Sequence, residues 1–313
     1  QLAGATTRRW EYELFDRLDL PIAVMPDLVQ PGVQLGRVHY DVRRALALPD
    51  MAVVAPATHD TASAVVGAPI GEGWAYLSSG TWSLLGIETE VPLLTDTARE
   101  VGLTNEGGLE GKNRLLKSIA GMWILESCRK IWATQGEAID FTDLNRAIAS
   151  VRARQAFVLP DDPRFFNPPD MPRAIEAFLR ESGQPVPVDY VGYARVVLES
   201  LALRYASVVE AIEHATGRAI VGIRIIGGGS QNRFLNQATA DATGREVRAG
   251  PIEATALGNV IVQAISDGCF GNVGEAREAV ARHMEDDVYE PTDLEAWAEA
   301  RAQYARLERE WGS

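Results

Sequence analysis

Ile225-Ile226-Gly227-Gly228-Gly229-Ser230-Gln231-Asn232 is the stretch that decides how this 313-residue chain is read. The β-rich run from Ile220 to Ile226 meets three glycines and then a helical pattern from about Gln231 to Ala242. That order predicts strand, tight turn and helix, the unit of an α/β fold. Glycines let a backbone come close to a ligand, and a helix start offers free N–H donors and the positive end of a dipole to phosphate. The stretch therefore reads as a nucleotide cradle. It lacks the Lys-Ser/Thr ending of a P-loop and the GxGxxG dinucleotide spacing, so a plain strand–helix turn without ligand stays open as the alternative.

Working outward, Val191, Ala194, Val197, Leu198, Leu201, Tyr205, Val208, Val209 and Ile212 hold helical spacing up to Thr216-Gly217, where glycine marks the stop. Further upstream, Ala75–Ser79 and Trp82–Ile87 are β-rich runs meeting at Gly80-Thr81, which predicts a hairpin. Its tip, Ser78-Ser79-Gly80-Thr81-Trp82, can bring amides and the Thr81 hydroxyl onto terminal phosphates, although tips of this composition are mostly just turns. The run Met51–Ala55 reads as a buried strand, stopped by Pro56 and followed by Thr58-His59-Asp60-Thr61 and a small-residue helix. A carboxylate beyond a strand end lies where open α/β sheets keep their sites. Asp60 in that place can accept the proton of a hydroxyl during phosphoryl transfer to an alcohol. The competing reading is a helix cap, which Thr58 could also supply. A His-Asp metallohydrolase needs further ligands, yet His39, His214 and His283 are isolated, and no Gly-x-Ser-x-Gly supports a serine hydrolase.

Other segments frame these motifs. Apolar spacing predicts a helix over 119–132, a surface loop around Pro160, Pro163, Pro168, Pro169 and Pro172, and a capping box at Thr292-Asp-Leu-Glu295. Residues 1–50 read as a helix plus a connector, and 51–313 as the main domain. A net charge of −13 repels nucleic acid and anionic lipid, so bound phosphate must be held by local donors against the global field. Cys128 and Cys269 form no CxxC, which fits two reduced thiols in a reducing, cytoplasmic setting. No apolar run approaches the roughly 18 residues of a membrane span. Gln1 stands where an initiator Met is usual, so further chain is expected upstream.

Taken in order, Ala57-Thr-His-Asp-Thr-Ala-Ser-Ala-Val65, Tyr76-Leu-Ser-Ser-Gly-Thr-Trp-Ser-Leu84, Leu103-Thr-Asn-Glu-Gly-Gly108, Gly227-Gly-Gly-Ser-Gln-Asn232 and Gly250-Pro-Ile-Glu-Ala-Thr-Ala-Leu-Gly-Asn259 resemble the FGGY carbohydrate kinases from about residue 10 to residue 265. The resemblance implies an RNase H-like, actin-like ATPase fold, of which this chain would hold the C-terminal domain and, in residues 1–50, the last elements of the N-terminal one. It implies ATP and Mg²⁺ as cofactors and a ketose substrate, L-rhamnulose phosphorylated at its primary hydroxyl ahead of the alternative of a pentulose or another deoxy-ketose. Asp60 would be the base, His59, Asp60, Thr61 and Ser118 would meet the sugar, and Thr81, Glu126 and Gly228 the nucleotide. Two positions depart from the family pattern: Ser118 stands where an Asn is expected and Glu126 where a Gln is expected. A carboxylate beside phosphates needs a compensating cation, Lys117 or another. The family's Asp-x-Gly phosphate strand does not occur in the sequence, which implies a missing N-terminal domain as partner and no turnover by this portion alone. The reading from another class is a non-catalytic actin-like sugar- or nucleotide-binding module.

Overall fold

The apolar periodicity upstream of the glycine run becomes one continuous helix, Tyr190–Thr216, in the computed structural model, which describes residues 2–137 and 140–312. Asp189 caps its start by accepting from the Gly192 amide, and Gly217 ends it in the left-handed region at φ 66°. Nine strands occur among the described residues: β1 Gln34–Arg37, β2 Ala52–Val54, β3 Trp74–Ser79, β4 Trp82–Thr89, β5 Thr104–Gly107, β6 Asn113–Ala120, β7 Gly222–Ile226, β8 Glu246–Ala249 and β9 Asp287–Tyr289.

The chain divides into two compact units. The second comprises Ile70–Gly86, Lys117–Glu253 and Glu285–Ser313. Its strands run in the order β4-β3-β7-β8-β9, with β3, β7 and β8 parallel and both flanks antiparallel. Every residue of β7 is buried, as a central parallel strand requires, and Ile223, Ile225 and Ile226 fill that position. Arg224, the polar exception, is paired with Asp286. Helices Tyr190–Thr216 and Arg233–Thr243 pack against each other, and Tyr76, Tyr205, Phe165 and Phe178 are among the largest enclosed side chains.

The first unit comprises Gln1–Pro69, Ile87–Leu116 and Ala254–Met284. Here β1 and β2 form an antiparallel ribbon, and β5 pairs with the start of β6 from Thr104↔Leu116 to Gly107↔Asn113. Its core joins Val66, Leu109, Ile261, Val262, Val273 and Ala276. Helix Asp60–Gly67 lies so close on helix Ala254–Ser266 that a Cβ on Gly258 would stand 1.8 Å from Ser63 O.

Four expectations are corrected. Met51–Ala55 is not a buried strand: β2 belongs to the two-stranded ribbon, with Met51 and Val53 exposed, because a short apolar run carries no information on what covers it. The helix expected over 119–132 begins at Trp123, since Ile119 and Ala120 finish β6. The proline-rich loop is partly helical: Pro163 opens a short 3₁₀ turn, and Pro172 sits in the first turn of helix Met171–Glu181, where a missing N–H costs nothing. The capping box does not form. Asp241 takes both the amide and the hydroxyl of Thr292, and helix Leu294–Trp311 begins without a side-chain cap.

Candidate active site

The hairpin predicted around Gly80-Thr81 is present, with Ser79 opposite Ser83 in register. Its tip is latched to the start of helix Trp123–Thr134: the Met122 amide donates to Gly80 O at 2.9 Å and the Trp123 amide to Thr81 O at 3.0 Å. Gly121 makes this approach possible, because a Cβ there would stand 2.6 Å from Ser83 Oγ and 2.8 Å from Gly80 O. Thr81 is left exposed on a fixed backbone.

The glycine run lies against the same tip. Gly227, at φ 82°, turns the chain out of β7 in a conformation that side chains disfavour. Gly228–Gln231 then form a 3₁₀ turn, and Asn232 caps helix Arg233–Thr243 by accepting from the Leu235 amide at 3.0 Å. A helical turn leaves its first amides without acceptors inside the turn. Gly228 is exposed, and a Cβ on it would meet nothing within 4 Å. The stretch read from the sequence as a cradle forms an open glycine turn packed on Ser79 at the base of the hairpin tip, and such a turn can present free amides to an anion.

Of the two departing positions, Ser118 is exposed on β6. Glu126 occupies the first turn of helix Trp123–Thr134 and accepts from Arg129 Nη1 at 2.7 Å. The compensating cation is thus Arg129. Lys117 stands near Arg204, Asp161 and Glu308 instead, and burial, helped by the Arg204 charge, lowers its pKa from the ordinary lysine value. Thr81, Ser118, Glu126 and Gly228 all belong to the second unit.

His59, Asp60 and Thr61 belong to the first unit. Thr58 adopts φ 62°, a left-handed conformation that is strained for a β-branched residue and turns the chain sharply into the helix that Asp60 begins. The capping alternative does not hold for Thr58, whose hydroxyl donates to its neighbour Ala57 O. Asp60 Oδ1 accepts from the Thr61 amide at 2.6 Å and lies 3.4 Å from His59 Nε2. Its Oδ2 has no partner among the described residues, and 78% of the side chain is exposed. One oxygen is anchored and the other is open, as a proton acceptor requires. Among the described residues no group of three or more His, Cys, Asp or Glu side chains could hold a metal ion.

Sequence reasoning missed the supporting residues Gly121 and Arg277. Gly121, between a strand and a helix, carried a readable signal as a close-approach position. Arg277 carried none, because its partners Val65 and Val66 lie more than two hundred residues away in the chain.

Comparison with known proteins settles the class. The model of the FGGY family of carbohydrate kinases, C-terminal domain, matches residues 75–266, and the chain belongs to that family. Curated relatives include rhamnulokinases. That of Bacteroides thetaiotaomicron is 42% identical over 298 residues, covering 95% of this chain and 61% of the relative. That of Pectobacterium carotovorum subsp. carotovorum is 41% identical over 285 residues, covering 91% and 55%. The chain thus spans about three fifths of the length of the relatives it matches. A ligand-bound xylulose kinase from Lactobacillus acidophilus aligns with a TM-score of 0.76 at 15% identity over 100% of this chain and 62% of that one, which shows the fold to be that of the actin-like sugar kinases. No helix among the described residues is long and apolar enough to cross a membrane.

Proposed function

We propose that this chain is the nucleotide-binding portion of an ATP-dependent ketose kinase, acting in the cytoplasm, whose substrate is L-rhamnulose, phosphorylated at its primary hydroxyl. The observation that carries the reading is the open glycine turn at Gly228 packed beside the latched hairpin tip that exposes Thr81. Bound ATP, accompanied by Mg²⁺, supplies the phosphoryl group and leaves as ADP. In this reading Thr81 and the Gly228 turn hold phosphates, and the Glu126–Arg129 pair keeps the nearby carboxylate compensated. Asp60 Oδ2 takes the hydroxyl proton as the sugar oxygen bonds to phosphorus, while the Thr61 amide holds Oδ1. His59, Thr61 and Ser118 are assigned to the sugar. The identity of the curated relatives supports rhamnulose over other ketoses.

Residues 1–50 are proposed to be the last elements of an N-terminal domain that completes the enzyme. Large hydrophobic side chains, including Tyr12, Leu18, Leu35, Tyr40 and Leu46, are exposed along this segment, and the rhamnulokinase relatives are longer than this chain. The chain by itself is expected to bind nucleotide weakly and to give no turnover.

The test is an ADP-release assay across ketoses on the full-length polypeptide and its Asp60→Asn variant. Turnover with L-rhamnulose, falling by about two to four orders of magnitude in the variant, is expected for loss of a general base. Full rate with Asn at position 60 would remove Asp60 from the mechanism. A binding module would show nucleotide or sugar affinity with no ADP release in either form.

A further inference from the structure

Helix Asp60–Gly67 has only 8 residues, and its last carbonyls lack intrahelical donors apart from the capping Ala68 amide, which donates to Val65 O at 3.4 Å. Arg277, from helix Val273–His283, supplies donors to them: Nη2 donates to Val65 O at 2.6 Å and Nε to Val66 O at 3.4 Å. Its remaining nitrogen, Nη1, donates to Glu88 Oε2 at 2.7 Å. All of these groups lie in the first unit. The arginine is 9% exposed, and a buried guanidinium is costly unless its charge and its N–H groups are all engaged. Here a cation sits on the negative end of the helix whose other end carries Asp60. At that other end Thr255 Oγ1 donates to Asp60 O at 3.1 Å, and between the two the Gly258 backbone lies against Ser63 O. A two-turn helix held at both ends moves as one body, so a shift at Val65 is carried to the Asp60 carboxylate.

We propose that Arg277, itself oriented by Glu88, is a positioning residue that sets where the Asp60 carboxylate stands. This rests on the kinase reading, in which Asp60 is the base. A misplacement of about 1 Å can cost up to about 10²-fold in rate, so a change of side chain at 277 is read in turnover before it is read in nucleotide binding.

The experiment is a double-variant cycle on the full-length enzyme, combining Arg277→Lys or Glu88→Gln with Asp60→Asn and reading single-turnover rate, KM for ATP and the melting temperature. Lysine keeps the charge but cannot reach two carbonyls and Glu88 together. The expected result is a rate about tenfold lower for Arg277→Lys with KM for ATP unchanged, and no further loss when the substitution is added to Asp60→Asn. Equal losses in both backgrounds, no loss at all, or failure of both variants to fold would overturn the proposal and leave Arg277 a core ion pair. Full activity of Asp60→Asn alone would instead sink the kinase reading of Asp60, whatever Arg277 does.

Discussion

Ser79 Oγ occupies the place where a Cβ on Gly229 would have to stand: the two would be 2.0 Å apart. Strand β3 and the glycine turn are in contact at that point, so the smallness of one residue fixes the position of the hairpin tip against the glycine turn. Gly229→Ala is expected to destabilise by about 1–3 kcal/mol, the usual result of overpacking, and to weaken ATP binding. Ser79→Gly in the same chain should return most of both, since it removes the two nearest side-chain atoms. Urea melts and nucleotide titration of the single and double variants check this, and an unshifted Gly229→Ala would refute it.

Gly258→Ala should be harder to relieve. The added Cβ would meet Ser63 O at 1.8 Å and Ser63 C at 2.6 Å, which are backbone atoms of the Asp60 helix and cannot rotate away. A loss at or above the top of the overpacking range, about 3 kcal/mol, is expected in the urea midpoint. A loss below about 0.5 kcal/mol would show that the two helices part freely.

The two thiols should react very differently. Cys128 is enclosed, and burial, with the nearby Asp170 charge, pushes its thiol pKa far up, whereas Cys269 is exposed. A thiol reagent such as DTNB should label one cysteine in the native chain and two in urea. Two rapid native labels would contradict the packing around helix Trp123–Thr134.

Alkaline stability should follow two enclosed tyrosines. Tyr205, bonded to Ser83 Oγ at 2.7 Å, has its pKa pushed up to about 12 by burial, and burial raises Tyr304 in the same direction. An unfolded tyrosine loses its proton near pH 10. Above that pH the folded chain binds more protons than the unfolded one, so stability is complete below about pH 10 and declines as pH rises toward 12. Tyr205→Phe should make that decline shallower, while costing about 1 kcal/mol at neutral pH for the hydroxyl left alone on Ser83. Urea midpoints measured from pH 8 to 11.5 decide it, and an unaltered slope would mean that Tyr205 ionises freely in the native state.

Local chemistry explains what could be read without coordinates. The sequence by itself determined the elements whose signals are contiguous: the helix capped by Asp189 and stopped by Gly217, the hairpin at Gly80-Thr81, the glycine turn after β7 and the family to which these motifs in this order belong. Each depends on propensities and caps within a few residues, which the chain carries wherever it folds. Only the tertiary structure decided that Ala52–Val54 lies in a two-stranded ribbon with Met51 and Val53 exposed, that Asp241 takes Thr292 away from its capping box, and that Arg129 compensates Glu126. It alone put Arg277 on the carbonyls of the Asp60 helix. Burial and partner choice depend on which distant segment arrives at a surface, and that is set by packing of the whole chain, a property no local stretch of residues encodes.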